Sequence, residues 1–269
     1  MRGIAGHLEL VCGPDRDGRP ALLHQSFRAP FHISKPHRDA GALVVNAVAV
    51  SPGLMEGDDL RCTVSVQSGA HLVLTQPAAA RAHRSPGREA RLTQHFTVAA
   101  GSCFEYWPEL FIPQGGSRSL QRTRIDLEPE ATLLHFEWVA PGRIASGEQF
   151  AFDALRWETT LAVAGTPVFR DRGDLASGGP EIRALRRFHD PVLWGTALVA
   201  GRVEARSLAE SIEPLHTPSC WIGVSAPVPG ICLIRVLATG APELRSTGAA
   251  LRQTLHAALG ISQPDLRRV

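Results

Sequence analysis

Alternation of apolar and polar residues with a period of two dominates the chain from residue 60 to about residue 170. Four segments share this alternation, and each is followed by a turn and a second short apolar segment; they begin at Leu60, Leu92, Gln121 and Thr159. The turns are centred on residues 69, 101, 130 and 165, so that they are separated by 32, 29 and 35 residues. Strict alternation is typical of half-buried strands, and a period near 30 residues indicates stacked supersecondary units.

Two strands per repeat without an intervening helix favour a mainly β protein, a β-helix-like stack of short strands. Ahead of the repeats, residues 8–23 predict a hairpin around a Gly- and Asp-containing turn, and residues 41–50 predict a buried strand. Beyond the repeats, residues 220–224 and 230–237 predict two more buried strands. The fourth repeat is looser than the other three.

Two short helices are predicted near the C-terminus. The first covers residues 204–212 and ends before Pro214. The second begins at Pro242, carries leucines at spacings of 7, 4 and 4, and ends at Gly260, a favoured capping residue. Residues 171–180, rich in Gly, Asp and Ser, predict a mobile loop. No linker divides the chain, so residues 1–269 are predicted to form one domain.

Composition limits the function more than it limits the fold. The chain has 28 basic and 26 acidic residues, and this balance argues against a nucleic-acid partner. Neither a secretory signal peptide nor a run of about 18 apolar residues is found, so we expect a cytoplasmic protein with no membrane partner. The five cysteines contain no CxxC pair and predict buried thiols.

The single lysine, Lys35, excludes one class of chemistry. It lies between Ser34 and Pro36, outside any Gly-Lys-Ser/Thr sequence, so the chain has no P-loop for a nucleotide. The histidines are dispersed, and no Ser or Cys is set in a recognisable frame with a His and a carboxylate. The sequence therefore carries almost no catalytic signal and predicts no tightly bound cofactor.

Three patches contain more polar and small residues than packing alone requires. Residues 52–59 place two glycines and three acids, Asp58 among them, in one loop, for which a solvated turn is the simple alternative. Residues 75–85 run from Thr75 through small residues to three bases, Arg81, His83 and Arg84. Residues 135–148 place Glu137 inside an apolar strand, where a carboxylate is usually paired or functional.

Taken in order, these patches resemble the UreD (UreH) family of urease accessory proteins. The loop match is Gly53 with Gly57-Asp58, and the basic segment matches at Thr75, Ala79, Arg84 and Ser85. Three further segments complete the resemblance: Phe104-Glu105-Tyr106-Trp107-Pro108, then Phe136-Glu137-Trp138 with Gly142-Arg143, Ala145 and Gly147-Glu148, and finally Arg235-Val236-Leu237 before the last helix. The likeness runs from about residue 5 to residue 260.

The resemblance implies a β-helical stack and a non-enzymatic role in urease maturation, so we expect a protein that is not an enzyme. Proteins of this family act with UreF and the GTPase UreG on apo-urease, so a partner would supply the P-loop that is missing here. It further implies transient passage of Ni²⁺ through an internal tunnel, and a dimer within the complex is a further expectation. We expect Asp58, Glu137, Glu148 and Thr75 along the metal path. Arg81, Arg84 and Arg143 are the expected partner contacts.

The chain departs from the family pattern at four positions: Glu56, where a glycine is common, Arg81 and His83 in place of a Lys-x-Tyr pair, and Leu110 in place of a glutamate. Two other functions stay open. The first is a stand-alone β-helical carbohydrate-active enzyme in which Glu137 pairs with Asp58 or Glu148. The second is an interaction module that handles no metal.

Overall fold

The structure, a computed structural model, describes residues 3–187 and 192–266. Eighteen strands and three helices are found in this part of the chain. The strands are β1 Ala5–Pro14, β2 Pro20–Arg28, β3 Phe31–Ile33, β4 His37–Asp39, β5 Ala42–Ala49, β6 Asp59–Val66, β7 His71–Thr75, β8 Ala80–Ala82, β9 Ala90–Val98, β10 Cys103–Trp107, β11 Phe111–Pro113, β12 Arg118–Leu127, β13 Thr132–Val139, β14 Ala154–Val163, β15 Thr166–Leu175, β16 Leu193–Ala200, β17 Cys220–Val228 and β18 Ile231–Ala238. The helices are α1 Pro180–Arg186, α2 Ala205–Ile212 and α3 Ala241–Leu259.

Most strands belong to two large sheets that face each other. The first sheet has the order β15-β14-β12-β9-β6-β1-β2, and β1, β6, β9, β12 and β14 in it are parallel neighbours. The second has the order β17-β18-β16-β13-β10-β7-β5-β3, with β5, β7, β10 and β13 parallel. The chain alternates between the sheets, as in β6 to β7 or β9 to β10, and this confirms the predicted β-helix-like stack.

The turns of the repeat adopt the backbone conformation that their sequence predicts. Gly69, Gly101 and Gly165 have φ angles of +77°, +66° and +76°, a region that favours glycine. Glu130 takes the same position in the third repeat with φ +64°. Each of the first three turns carries the chain across to the opposite sheet, so one left-handed residue per turn sets the crossing.

The fourth repeat differs because its turn is shorter. Only Ala164 and Gly165 separate β14 from β15, and both have positive φ, at +47° and +76°. Two consecutive residues of this kind form the tight connection of an antiparallel hairpin. Strand β15 therefore pairs with β14 in the first sheet instead of crossing to the second.

The predicted mobile loop at residues 171–180 is wrong. Residues 171–175 complete β15, in register with β14, and Pro180 opens the additional helix α1. Proline suits the first turn of a helix, since its missing N–H is unpaired there in any case. Ser177, Gly178 and Gly179, which suggested a loop, belong to the short turn between β15 and α1.

Apolar residues of the two inward faces form the main core, and a second cluster lies on the outer face of the second sheet. Leu10, Val64 and Phe96 of the first sheet belong to the main core. In the second cluster, Leu251 and Leu255 of α3 pack against strand residues of β13, β16 and β18. These leucines belong to the predicted apolar stripe, and the C-terminal end of α3 is capped by Gly260 with φ +67°, as predicted.

A buried ionic network also fastens α3 to the second sheet. Glu105 of β10, fully buried, accepts hydrogen bonds from Arg252 Nε and Nη2, the latter at 2.9 Å, and its Oε2 lies 3.1 Å from His256 Nε2. Burial alone would raise the pKa of Glu105, but the bonds from His256 and Arg252 outweigh burial and hold that pKa below its ordinary value. Arg252 also bonds to the Pro264 carbonyl at 3.1 Å, which holds the chain beyond α3.

We predict that Gly69→Ala lowers the free energy of unfolding by about 1 kcal/mol, because the left-handed region costs an L-residue about 1–2 kcal/mol. A Cβ at this position has open space, so the cost is conformational only. Glu130→Gly should change stability in the opposite direction. Gly223→Ala is the control, since its Cβ also has open space and its φ is not positive. Urea denaturation measures the stability of all three variants. An equal loss of stability in Gly69→Ala and Gly223→Ala would contradict the turn assignment.

We predict that Arg252→Met costs about 3–5 kcal/mol, because it removes the guanidinium that pairs with the buried Glu105 and leaves His256 as the remaining partner of that carboxylate. Arg245→Met on the same helix is the control. Arg245 pairs with Glu109 at 3.3 Å but is 66% exposed, so its loss should cost less than about 1 kcal/mol. Chemical denaturation compares the two variants, and similar losses would show that the buried network does not fix α3.

Candidate functional site

The loops at one end of the two sheets are joined to one another in a ladder. Leu54 N donates to the Arg81 carbonyl at 2.7 Å, Ser85 N to the Gly116 carbonyl at 2.9 Å, and Gly116 N to the Ala151 carbonyl at 2.9 Å. The strands of successive repeats end at the same edge of the sheet because they pair in parallel and in register. The three sequence patches described above therefore come together at this one end.

A cavity of about 180 Å³ lies beneath these loops, between the sheets. Four of the lining residues that the first sheet contributes, Leu60, Leu92, Gln121 and Trp157, share one register row. The second sheet and its loops contribute polar groups, among them Tyr106, Glu109, Glu137 and Thr196. Within the described residues, Glu109 and Glu137 are the two carboxylates of the lining, which makes them the candidate cation ligands.

Glu137 points from β13 into this cavity and is only partly buried. Its Oε1 accepts a hydrogen bond from Gln121 Nε2 at 2.6 Å, across the space between the sheets. Burial and the charge of Asp171 raise the pKa of Glu137 to about 7, and Arg235 and the bond from Gln121 lower it only in part. A carboxyl with this pKa exchanges its proton near neutral pH, so it can be ionised when a cation arrives.

The side of the cavity is closed by groups from both sheets. Arg235 of β18 donates to Asp171 Oδ1 at 2.6 Å and to Thr196 Oγ1 at 2.8 Å. Trp157 Nε1 donates to the other oxygen of Asp171 at 3.2 Å. Since Asp171 belongs to the edge strand of the first sheet, these bonds join the two sheets next to Glu137.

A polar layer lies one register row further into the stack. Gln94 and Thr123 belong to adjacent strands of the first sheet; Thr123 Oγ1 donates to Gln94 Oε1 at 3.0 Å, and Gln94 Nε2 donates to the Tyr106 hydroxyl at 3.1 Å. His135 stacks on Tyr106 with ring centroids 5.3 Å apart. Burial lowers the pKa of His135 to about 3, so its imidazole is neutral at physiological pH. The cavity thus has polar groups beneath it as well as around it.

Asp58 is placed away from the cavity, in a structural role. Its two oxygens accept hydrogen bonds at 2.8 Å from the backbone N–H groups of Ile4 and Met55, and it is 3% exposed. These bonds fix the loop of the first patch to the start of the chain.

Glu148 likewise binds loop groups, one from its own loop and one from the loop between β11 and β12. It accepts hydrogen bonds from Gly115 N and from Arg143 Nε, so Arg143 is paired on the surface. Arg84, also exposed, lies over Gly116. Glu148, Arg143 and Arg84 are therefore close to one another at the end of the stack, outside the cavity lining.

Thr75 is buried at the end of β7, and it is the following residue, Gln76, that lines the cavity. Arg81 is exposed and lines the cavity mouth. Of the seven residues predicted as metal-path or partner contacts, the structure places Glu137 and Arg81 in the cavity lining and the other five outside it.

Three of the residues that depart from the family pattern, Glu56, His83 and Leu110, make defined local contacts. Glu56 Oε1 accepts bonds at 2.9 Å from Gly87 N and Arg88 N, and His83 Nε2 lies 3.0 Å from the Pro52 carbonyl. The His83 contact ties the second patch to the first, and the Glu56 contacts tie the first patch to the residues that follow the second. Leu110 packs against the apolar cluster beneath α3.

Sequence reasoning missed Gln121, Asp171 and Arg235 as members of the site. For Gln121 a signal exists, because it occupies the same repeat position as Leu60 and Leu92 and is the polar exception in that row. Asp171 was assigned to a loop, and Arg235 is separated from it by 64 residues.

Within residues 3–187 and 192–266, no three His, Cys, Asp or Glu side chains form a group that could hold a metal ion. The five cysteines are buried free thiols, as predicted. No helix in the described part of the chain is long and apolar enough to cross a membrane.

We predict that Glu137→Gln raises the free energy of unfolding, relative to wild type, by about 2 kcal/mol more at pH 8 than at pH 4.5. The folded pKa near 7 exceeds the unfolded value of about 4.3, so wild-type stability is fully present below pH 4.3 and falls as pH rises through 7. Glutamine removes this loss, and the other titrating groups are common to both proteins. Denaturation at several pH values measures the difference, and a difference that does not change with pH would refute the assignment.

Comparison with known proteins is consistent with the fold and the ordered patches. A family model described as UreD urease accessory protein matches residues 5–269. A urease accessory protein UreD from Opitutus terrae is 35% identical, with 99% of each chain covered. Another from Deinococcus radiodurans is 33% identical over 99% of this chain and 96% of its own length, and one from Herpetosiphon aurantiacus is 29% identical over 100% and 97%. The chain therefore belongs to the UreD family of urease accessory proteins.

Proposed function

We propose that this urease accessory protein is a cytoplasmic scaffold of the urease activation complex. In this proposal it binds UreF, the GTPase UreG and apo-urease, and Ni²⁺ passes through its interior on the way to the urease active site. A dimer within the complex is part of the same proposal. The metal is cargo that is held transiently, and no tightly bound cofactor takes part.

The observation that carries the proposal is Glu137 in the cavity between the sheets. A carboxylate oxygen is a ligand for divalent cations, and one that ionises near neutral pH can exchange a proton for a cation. The cavity lies directly beneath the ladder of loops, where Arg81 is exposed at its mouth. A partner that docks on those loops would cover the entrance to the cavity.

The missing P-loop supports a division of labour. Lys35 is the only lysine of the chain and is not in a nucleotide-binding sequence. A GTPase partner would supply the nucleotide chemistry, while this chain supplies the docking surface and the interior path.

The alternative of a carbohydrate-active enzyme requires Glu137 to pair with Asp58 or Glu148, and the contacts of these two residues do not support either pair. Asp58 is bonded to two backbone N–H groups, and Glu148 is bonded to Arg143 and Gly115. Neither lines the cavity that contains Glu137. An interaction module without metal traffic is the competing proposal that an experiment has to separate.

We predict that Glu137→Gln, introduced in the host strain, lowers the nickel content of urease by roughly tenfold without reducing the amount of urease protein. The loss of one charge contact of about 1.4 kcal/mol lowers the occupancy of a bound cation tenfold. Glu128→Gln is the control, because Glu128 is exposed on a turn at the opposite end of the stack. Metal analysis of purified urease and urease activity provide the measurement.

Three outcomes are informative. Low nickel in urease from the Glu137→Gln strain, with normal nickel in urease from the Glu128→Gln strain, supports passage through the cavity. Normal nickel in both variants contradicts it and favours an interaction module. Full urease activity after deletion of the whole gene would overturn the role in urease maturation itself.

A further inference from the structure

The outer face of the first sheet carries exposed arginines at a regular spacing. One register row crosses all seven strands of this sheet and places an exposed arginine on every second strand: Arg28 of β2, Arg61 of β6, Arg122 of β12 and Arg172 of β15. The strands between them contribute His7, Thr93 and Glu158 to the same row. We call the four arginines the arginine row.

The spacing of the arginine row follows from the geometry of a sheet. Neighbouring strands lie about 4.8 Å apart, so alternate strands lie about 10 Å apart and the row spans about 29 Å. Register partners share a face, so all four side chains project to the same side. That side is the outer one, because Leu60 and Thr123, the sequence neighbours of Arg61 and Arg122, are buried between the sheets.

The positive charge of the arginine row is only partly compensated by neighbouring groups. In the part of the chain that the structure describes, Arg28, Arg122 and Arg172 form no ion pair. Arg61 has a long contact with Asp59 at 3.5 Å, and both side chains are well exposed. Glu158, the carboxylate of the row itself, is engaged at 2.7 Å by Arg170 of the next row. The guanidinium groups therefore keep most of their hydrogen-bond donors available to a partner.

We propose that the arginine row is a docking site for an acidic α-helix of a partner protein. An α-helix rises 1.5 Å per residue, so side chains seven residues apart lie on one face at a separation of about 10.5 Å. Carboxylates at that interval match the row one for one. An extended strand does not match, because about 10 Å spans three of its residues, and residues three apart point to opposite faces. Each guanidinium can hold a carboxylate through two hydrogen bonds.

A helix in this place would also complete the layers of the fold. Parallel sheets are usually covered on both faces. Helices α2 and α3 cover the second sheet from outside, whereas the arginine row leaves the outer face of the first sheet exposed. The inference goes beyond the proposed function, since no member of the row lines the cavity and docking here does not depend on the passage of a cation.

The test measures binding of labelled helical peptides to the purified full chain by fluorescence anisotropy. One peptide carries a glutamate at every seventh position of an alanine- and glutamine-rich helix. A second peptide has the same composition with its glutamates distributed around the helix. At about 0.1 M salt, charges more than about 10 Å apart are largely screened, so only aligned contacts count. We expect the first peptide to bind about tenfold more tightly, since the second aligns roughly half as many pairs.

Variants of the chain locate the contact. Arg122→Glu replaces an attractive contact in the middle of the row by a repulsive one and should weaken binding of the first peptide about tenfold. Arg122→Gln removes the charge alone and should weaken it about threefold. Arg206→Glu is the matched control, because it makes the same change of charge at an exposed position of α2, on the other sheet. We expect no loss of binding in this variant.

The outcomes separate this inference from the proposed function. Equal binding of the two peptides, or an equal loss in Arg122→Glu and Arg206→Glu, overturns the arginine row as a helix-docking site. Tighter binding of a DNA duplex than of the first peptide at the same salt concentration also overturns it, because the face would then be a nucleic-acid surface. None of these measurements involves nickel, so a negative result leaves the proposed function in place. Normal nickel loading in the Glu137→Gln strain would likewise leave the docking site in place.

Discussion

The in-register parallel pairing of successive coils is the constraint on which the whole structure depends. It places one residue from each repeat in a single row across the sheet, so side chains distant in sequence share one layer. The row of Val64 and Phe96 belongs to the apolar core, the row of Gln94 and Thr123 carries the polar layer, and the row of Gln121 borders the cavity. A slip of one residue would exchange the inward and outward faces and destroy all three layers.

Much of this fold could be predicted because its signals are local. The period of two, the turn residues near positions 69, 101 and 130, and the apolar stripe of α3 all lie within short windows of sequence. The fourth repeat has the predicted strand, turn and strand, but its two adjacent residues with positive φ, Ala164 and Gly165, form a hairpin and not a crossing. Residues 171–180 were misjudged because Gly and Ser content does not reveal the register of β15 with β14.

The site was less predictable because its contacts are distant in sequence. Glu137 could be singled out as a carboxylate inside an apolar strand, but its partners come from four other strands. Gln121 is 16 residues away, and the Arg235–Asp171 pair spans 64 residues. Register rows bring them together, so a prediction of strand pairing is needed before any prediction of the site.

Two carboxylates of the second sheet, Glu105 and Glu137, differ in how fully neighbouring groups compensate their charge. Glu105 faces α3, where a guanidinium and an imidazole neutralise it and hold its pKa low, so its charge is fixed. Glu137 faces the cavity with an amide as its direct partner, and the arginine of its register row, Arg235, is engaged by Asp171. Its ionised form is therefore left incompletely compensated, at a cost to stability that rises with pH. An incompletely compensated carboxylate is what a transient cation would bind, because full compensation by the protein would leave it nothing to neutralise.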